Sequence, residues 1–167
     1  MKLIDIIIFI IMYIFISPIT TLLHELSHAA MALLFSNDNV YVNIGSNDIR
    51  KVVKINRLII NIGKYKHIKN ISFGYVNYSE INSKIKNIII FASGPLMTLF
   101  IALISNYILI NTLNSKYLIL PSIANSIFWI SIIQLFATII PQNYNYGSYR
   151  GFTSDGYKIL KLIRKSK

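Results

Sequence analysis

Residues 24–28 read His24-Glu25-Leu26-Ser27-His28. On a helix, positions four apart lie on one face, so His24 and His28 can present two imidazoles to one metal ion with Glu25 beside them. Two histidine ligands and a neighbouring carboxylate are the parts of a hydrolytic zinc site. The ion acts as a Lewis acid and lowers the pKa of a water toward ~7, and the carboxylate takes the proton. Scarcity adds weight: of the three histidines and two glutamates in the chain, the pentad holds two and one. It also lies in an apolar stretch, where an ionisable side chain is costly and usually functional. The bland alternative is a Glu25 at an interfacial helix end, paired with one histidine.

Composition says what kind of helix carries this pentad. Of the 167 residues, 54% are hydrophobic and 14% charged, against about 45–50% and 25% in soluble domains. With a mean hydropathy of +0.53, this predicts a small integral membrane protein with a single domain over 1–167, and argues against disorder. No cysteine is present, which excludes disulfide frameworks, zinc fingers, iron–sulfur clusters and thiol nucleophiles. The wealth of Ile, Asn and Lys is that of translated AT-rich bacterial sequence.

Residues 1–35 carry only Lys2, Asp5 and Glu25, and residues 87–115 and 117–149 carry no charge. At about 20 apolar residues per crossing, the expected spans are 3–35, 86–111 and 117–140. The first would run ~50 Å as one helix, so it must tilt, protrude or kink at Pro18. Met1-Lys2 is too short a head for a signal peptide and no small-x-small site precedes Pro18, so this stretch is read as a retained span. Between the first two spans, 37–85 reads as a small β layer at the membrane surface. Val40–Ile44, Lys51–Ile55 and Ile71–Val76 are β-prone, with Gly45, Gly63 and Asn-rich pieces between them. Residues 141–167 read as a loop and an amphipathic helix at 156–166. Tyr157, Ile159, Leu160 and Ile163 lie on its apolar face and Lys158, Lys161 and Lys165 on its basic one. The fold class is mainly α: a polytopic membrane protein with three transmembrane helices, a small cytoplasmic β layer and a C-terminal amphipathic helix.

The net charge is +11, from 17 Lys+Arg and 6 Asp+Glu. Nine of the basic residues fall within 50–86 and six within 150–167, flanking apolar spans. They are read as cytoplasmic segments of a bacterial cell membrane protein, not as a nucleic-acid surface. The N-terminus is then external, with Lys2 a small objection. A catalytic zinc site needs a third protein ligand. Asp5 precedes His24 by 19 residues, which is ~28 Å along a helix and too far. Asp38 and Asp48 read as solvated turn residues, and His67 and Glu80 as exposed members of the basic loop. Asp155, in Thr153-Ser154-Asp155-Gly156-Tyr157, follows the third span on the same side as the pentad. Topology therefore favours it, the alternative being a cap or turn residue before the last helix.

Three features together resemble the site-2 protease family of intramembrane zinc metalloproteases. They are the pentad in a membrane helix, Ala92-Ser93-Gly94-Pro95-Leu96 in the next span, and Pro141 followed by Asp155-Gly156 after the last. The resemblance covers most of the chain, as a small and divergent bacterial member. It implies His24, His28 and Asp155 as ligands of one zinc ion per chain, and Glu25 as the general base. It implies cleavage of a peptide bond in or beside a transmembrane segment of a membrane-embedded substrate. It further implies substrate-positioning roles for Gly94, Pro95, Thr98 and Thr138. Thr98 and Thr138 stand where family members often carry asparagine, and the 13 residues between Pro141 and Asp155 exceed the usual spacing. Gly94-Pro95 also has a physical use: it admits a close neighbour and opens the helix hydrogen-bond ladder. Its bland counterpart is a simple kink.

The 142–154 loop, rich in Asn, Tyr and Gly, reads either as a re-entrant lip over the site or as an interfacial tyrosine belt. The β-prone strands offer an extended substrate an edge to pair with. The rival reading is a non-catalytic membrane peptide-binding or immunity-type protein that keeps the zinc-site fold. A metal transporter fits less well, because three spans without a repeat offer no second polar face for a pore.

Overall fold

Long uncharged apolar runs leave the backbone one economical way to satisfy its own polar groups in lipid, the α-helix. The chain forms three such helices: α1 (Leu3–Phe35), α2 (Lys84–Thr112) and α3 (Ile119–Ile139). The computed structural model describes residues 3–46, 48–64, 72–112, 119–145 and 147–164. His67, raised above as an alternative ligand, lies outside the described residues, as do Ile71 and the basic residues Lys2, Lys66, Lys69, Lys116, Lys165 and Lys167. All three helices are long and apolar enough to cross a membrane, α1 over Phe9–Phe35. The expected spans agree with them to within two residues at each end. α1 runs unbroken through Pro18, and α2 through Pro95.

Their outward faces expose Phe15, Leu34, Leu96, Phe100, Leu103 and Phe136, while Ala29, Ala32, Ala102, Ala124 and Ser126 are buried. Large side chains outside and several small ones inside suit helices long and apolar enough to cross a membrane, where close backbone approach replaces the hydrophobic drive of water.

Between α1 and α2 the chain forms four strands: β1 (Val40–Ile44), β2 (Ile49–Ile55), β3 (Leu58–Gly63) and β4 (Gly74–Asn77), in the order β2-β3-β1-β4. β2 and β3 are an antiparallel hairpin turning at Asn56, whose φ of 52° is of the kind asparagine tolerates. β1 pairs in parallel with β3 and antiparallel with β4, leaving β4 at an edge. Val40, Val42 and Ile44 alternate inward along β1 and form one core with Ala29 and Ala32 of α1 and Ile90 of α2. Arg57, in the hairpin turn, donates to the carbonyls of Leu33 and Ser36 and so satisfies acceptors left open at the α1 C-terminus.

The strands at 40–44 and 51–55 were legible as strands; β3 was not expected. The sequence places this layer at the membrane surface; its apolar face packs along α1. Ser72, just before β4, hydrogen-bonds Tyr13 at 2.8 Å and also meets Ser17. Tyr13 lies ~33 Å of helix axis before Phe35.

After α3, the strand-like pieces around Asn143 and Thr153 bridge antiparallel. They enclose a short 3-10 turn at Gly147–Tyr149 and lead into α4 (Asp155–Arg164).

Candidate metal centre

α1 holds His24 and His28 one turn apart, with ring centroids at 4.8 Å and nearly perpendicular planes. Asp155 reaches them from the first turn of α4. The Nε2 atoms of the two histidines and Oδ2 of Asp155 stand 3.2 Å apart, pair by pair. All three residues are buried, at 2%, 5% and 6% exposure, so whatever occupies their common focus must replace water for each.

The far side of each ring decides what that focus can be. The Thr98 hydroxyl donates to the Gly94 carbonyl at 3.1 Å, which leaves its oxygen to accept from His24 Nδ1 at 2.8 Å. His28 Nδ1 donates to the Ile90 carbonyl at 2.6 Å. With both Nδ1 atoms acting as donors, the neutral imidazoles turn both Nε2 lone pairs toward the carboxylate oxygen. Three lone pairs aimed at one point repel unless a cation stands among them. Donors bound to one zinc ion at ~2.0–2.1 Å with tetrahedral angles would stand ~3.3 Å apart, which matches the spacing here. The donor set therefore fits zinc.

Asp155 owes its place to its neighbours. Ser154 caps α4: its hydroxyl accepts the amides of Tyr157 (3.2 Å) and Gln142 (3.0 Å) and donates to the Ile140 carbonyl (2.7 Å). The cap role weighed for Asp155 thus falls to Ser154, and the Asp155 carboxylate is left for the histidines. A side chain at Gly156 would run into the Ile139 carbonyl, so glycine there lets the first turn of α4 press onto the end of α3. Lys158, read from sequence as part of a basic surface, meets Asp155 Oδ1 at 3.3 Å and lies over the Phe91 ring at 5.1 Å.

Gly94 makes room for the pair of rings. A Cβ there would strike Nε2 of both His24 and His28. Gly94 thus lies against the Nε2 ends of the rings and Thr98 behind His24, and neither they nor Pro95 is among the residues that line the cavity. Thr138 does line it, but its hydroxyl donates within its own helix, to Gln134 and Leu135. Asp38, Asp48 and Glu80 are exposed.

The cavity has a volume of 510 Å³ and reaches His24, His28, Asp155 and Glu25 on one side and the edge of β4 on another. Tyr149 closes part of it, its ring edge-on to Phe73 at 4.8 Å. Sequence reasoning missed Tyr149, Ser154 and the Ile90 carbonyl as parts of the site. A cap serine before Asp155 could have been suspected; the backbone acceptor carries no signal in side-chain pattern.

No family model, curated protein or solved structure matches this chain.

Replacing Thr98 by Val keeps its shape and removes the acceptor for His24. Zinc affinity is expected to fall ~10–100-fold, the usual cost of losing such a partner, with an unchanged melting temperature in detergent. Competition against a chelator of known affinity checks it; an unaltered affinity would mean that the tautomer is set elsewhere.

Proposed function

We propose that the chain is a zinc-dependent intramembrane endopeptidase of the site-2 protease type. Its substrate would be a membrane-embedded peptide or protein, cut in or beside a transmembrane segment. The observation that carries this reading is the convergence of His24 Nε2, His28 Nε2 and Asp155 Oδ2 on one point, with Glu25 on the same cavity among apolar helices.

His24, His28 and Asp155 would hold one zinc ion per chain. Bound there, zinc supplies Lewis acidity toward a water and a peptide carbonyl. Glu25 takes the proton of the attacking water and returns it to the leaving amine. Thr98, Ile90 and Lys158 keep the ligand atoms aimed. A transmembrane helix hides its own amides, so the substrate must unwind locally, and the edge of β4 that borders the cavity offers it a place to pair as an added strand.

The basic residues of 50–86 and 150–167 support a multi-pass orientation in a bacterial cell membrane, with the β-rich segment and C-terminus cytoplasmic. A second reading, a peptide-binding protein without turnover, is favoured by the Thr138 hydroxyl, which is committed to its own helix. The test is cleavage of fluorogenic single-span peptides by zinc-supplied protein in vesicles. Cleavage that a chelator removes and zinc restores is expected. Peptide binding without cleavage at any protein concentration would replace the enzyme with the binder.

A further inference from the structure

Among the described residues, β4 pairs with β1 on one side only. Phe73 turns its carbonyl toward β1, where it accepts from the Gly45 amide at 2.8 Å, and Tyr75 faces Asn43. Backbone groups alternate sides along a strand, so Ser72, Gly74 and Val76 present their N–H and C=O groups to the open edge. That edge borders the cavity. At Gly74 a face of the strand also lies against α1, since a Cβ there would touch the Glu25 and Thr21 side chains.

The Tyr149 hydroxyl sits on this row. It accepts from the Gly74 amide at 3.0 Å and donates to the Ser72 carbonyl at 2.7 Å. One residue of a parallel neighbouring strand would make the same two bonds, accepting from residue i+2 and donating to residue i. Burial and the nearby Glu25 carboxylate push the Tyr149 phenol well above its ordinary pKa, so it keeps the proton that it donates. Tyr149 is flanked by Gly147 (φ 67°) and Gly151 (φ 88°), and neither has anything packed against its missing side chain. The phenol is thus held by two hydrogen bonds and the Phe73, Tyr144 and Phe152 rings, on a segment with glycines at both ends whose Gly151 amide donates to the Tyr144 carbonyl.

We propose that Tyr149 is a built-in competitor of the substrate. Its hydroxyl occupies one residue's place on the β4 edge, and the 147–151 segment must swing away before an extended peptide can pair there beside Glu25. The site is then closed at rest and opens only for a peptide whose backbone can take over both bonds. This rests on the reading of β4 as the substrate's pairing edge.

The test uses zinc-loaded Glu25→Gln protein in detergent, so that binding is read without turnover. The probes are an extended apolar decapeptide and the same peptide with alternate amides N-methylated. Adding Tyr149→Phe keeps the ring and removes both hydrogen bonds. Exchange of the Gly74 amide with deuterated water is expected to rise about tenfold, and Kd for the decapeptide to fall about tenfold, as two modest hydrogen bonds are lost by the competitor. The N-methylated peptide should gain nothing. An unchanged or weaker Kd for the decapeptide, with the melting temperature retained, would overturn the competitor role alone. N-methylated and parent peptides binding equally in both proteins would overturn the pairing edge beneath it.

Discussion

Glu25→Gln is expected to abolish proteolysis while leaving about one zinc per chain. The substitution keeps the shape of the side chain and touches none of the three converging donors. What it removes is a group that can accept a proton from water and give it to an amine. General acid–base catalysis by one positioned group is worth ~10²–10⁴-fold, and in the proposed reaction one carboxylate serves both transfers. Cleavage should fall by at least the lower figure, with zinc content and melting temperature at wild-type values. Turnover close to wild type in this variant would remove Glu25 from the chemistry.

Gly94→Ala is expected to cost the metal far more than the fold. The added methyl would meet the ends of both imidazoles. Side-chain ends can swing aside, so the strain should stay within the ~1–3 kcal/mol usual for overpacking. The rings cannot swing and still aim Nε2 at Asp155, however, so zinc affinity should fall by more than 100-fold, beyond the ~10–100-fold loss of a supporting hydrogen bond. A protein with alanine at 94 that folds and binds zinc as tightly as wild type would contradict the placement of the rings over Gly94.

Much of this arrangement could be read in the residues themselves. The pentad declares its own face by the i, i+4 spacing of His24 and His28, and the charge-free runs mark the helices closely. β1 was legible because Val40, Val42 and Ile44 alternate. β3 was not, because Leu58-Ile59-Ile60-Asn61-Ile62 is apolar without alternation, as strands covered on both sides often are. Asp155 was favoured by the side from which it approaches. The reason it can serve, a serine cap and a glycine pressed on Ile139, appears only in three dimensions. Thr98 was expected near substrate by resemblance. It stands behind His24 because residues 94 and 98 share one face of α2. Tyr149 was one tyrosine among several in its loop. Its partners are backbone groups more than 70 positions away, and such pairs leave no trace in composition or spacing.

The central claim is that His24, His28 and Asp155 form one metal site. The most direct measurement is the metal content of zinc-supplied, detergent-purified protein, wild type beside Asp155→Ala, with helicity verified in both. About one zinc per chain in the wild type, lost or much weakened in the variant, is the expected result. A folded wild type that takes up no zinc would contradict the site, and zinc held equally by both proteins would contradict Asp155 as its third ligand.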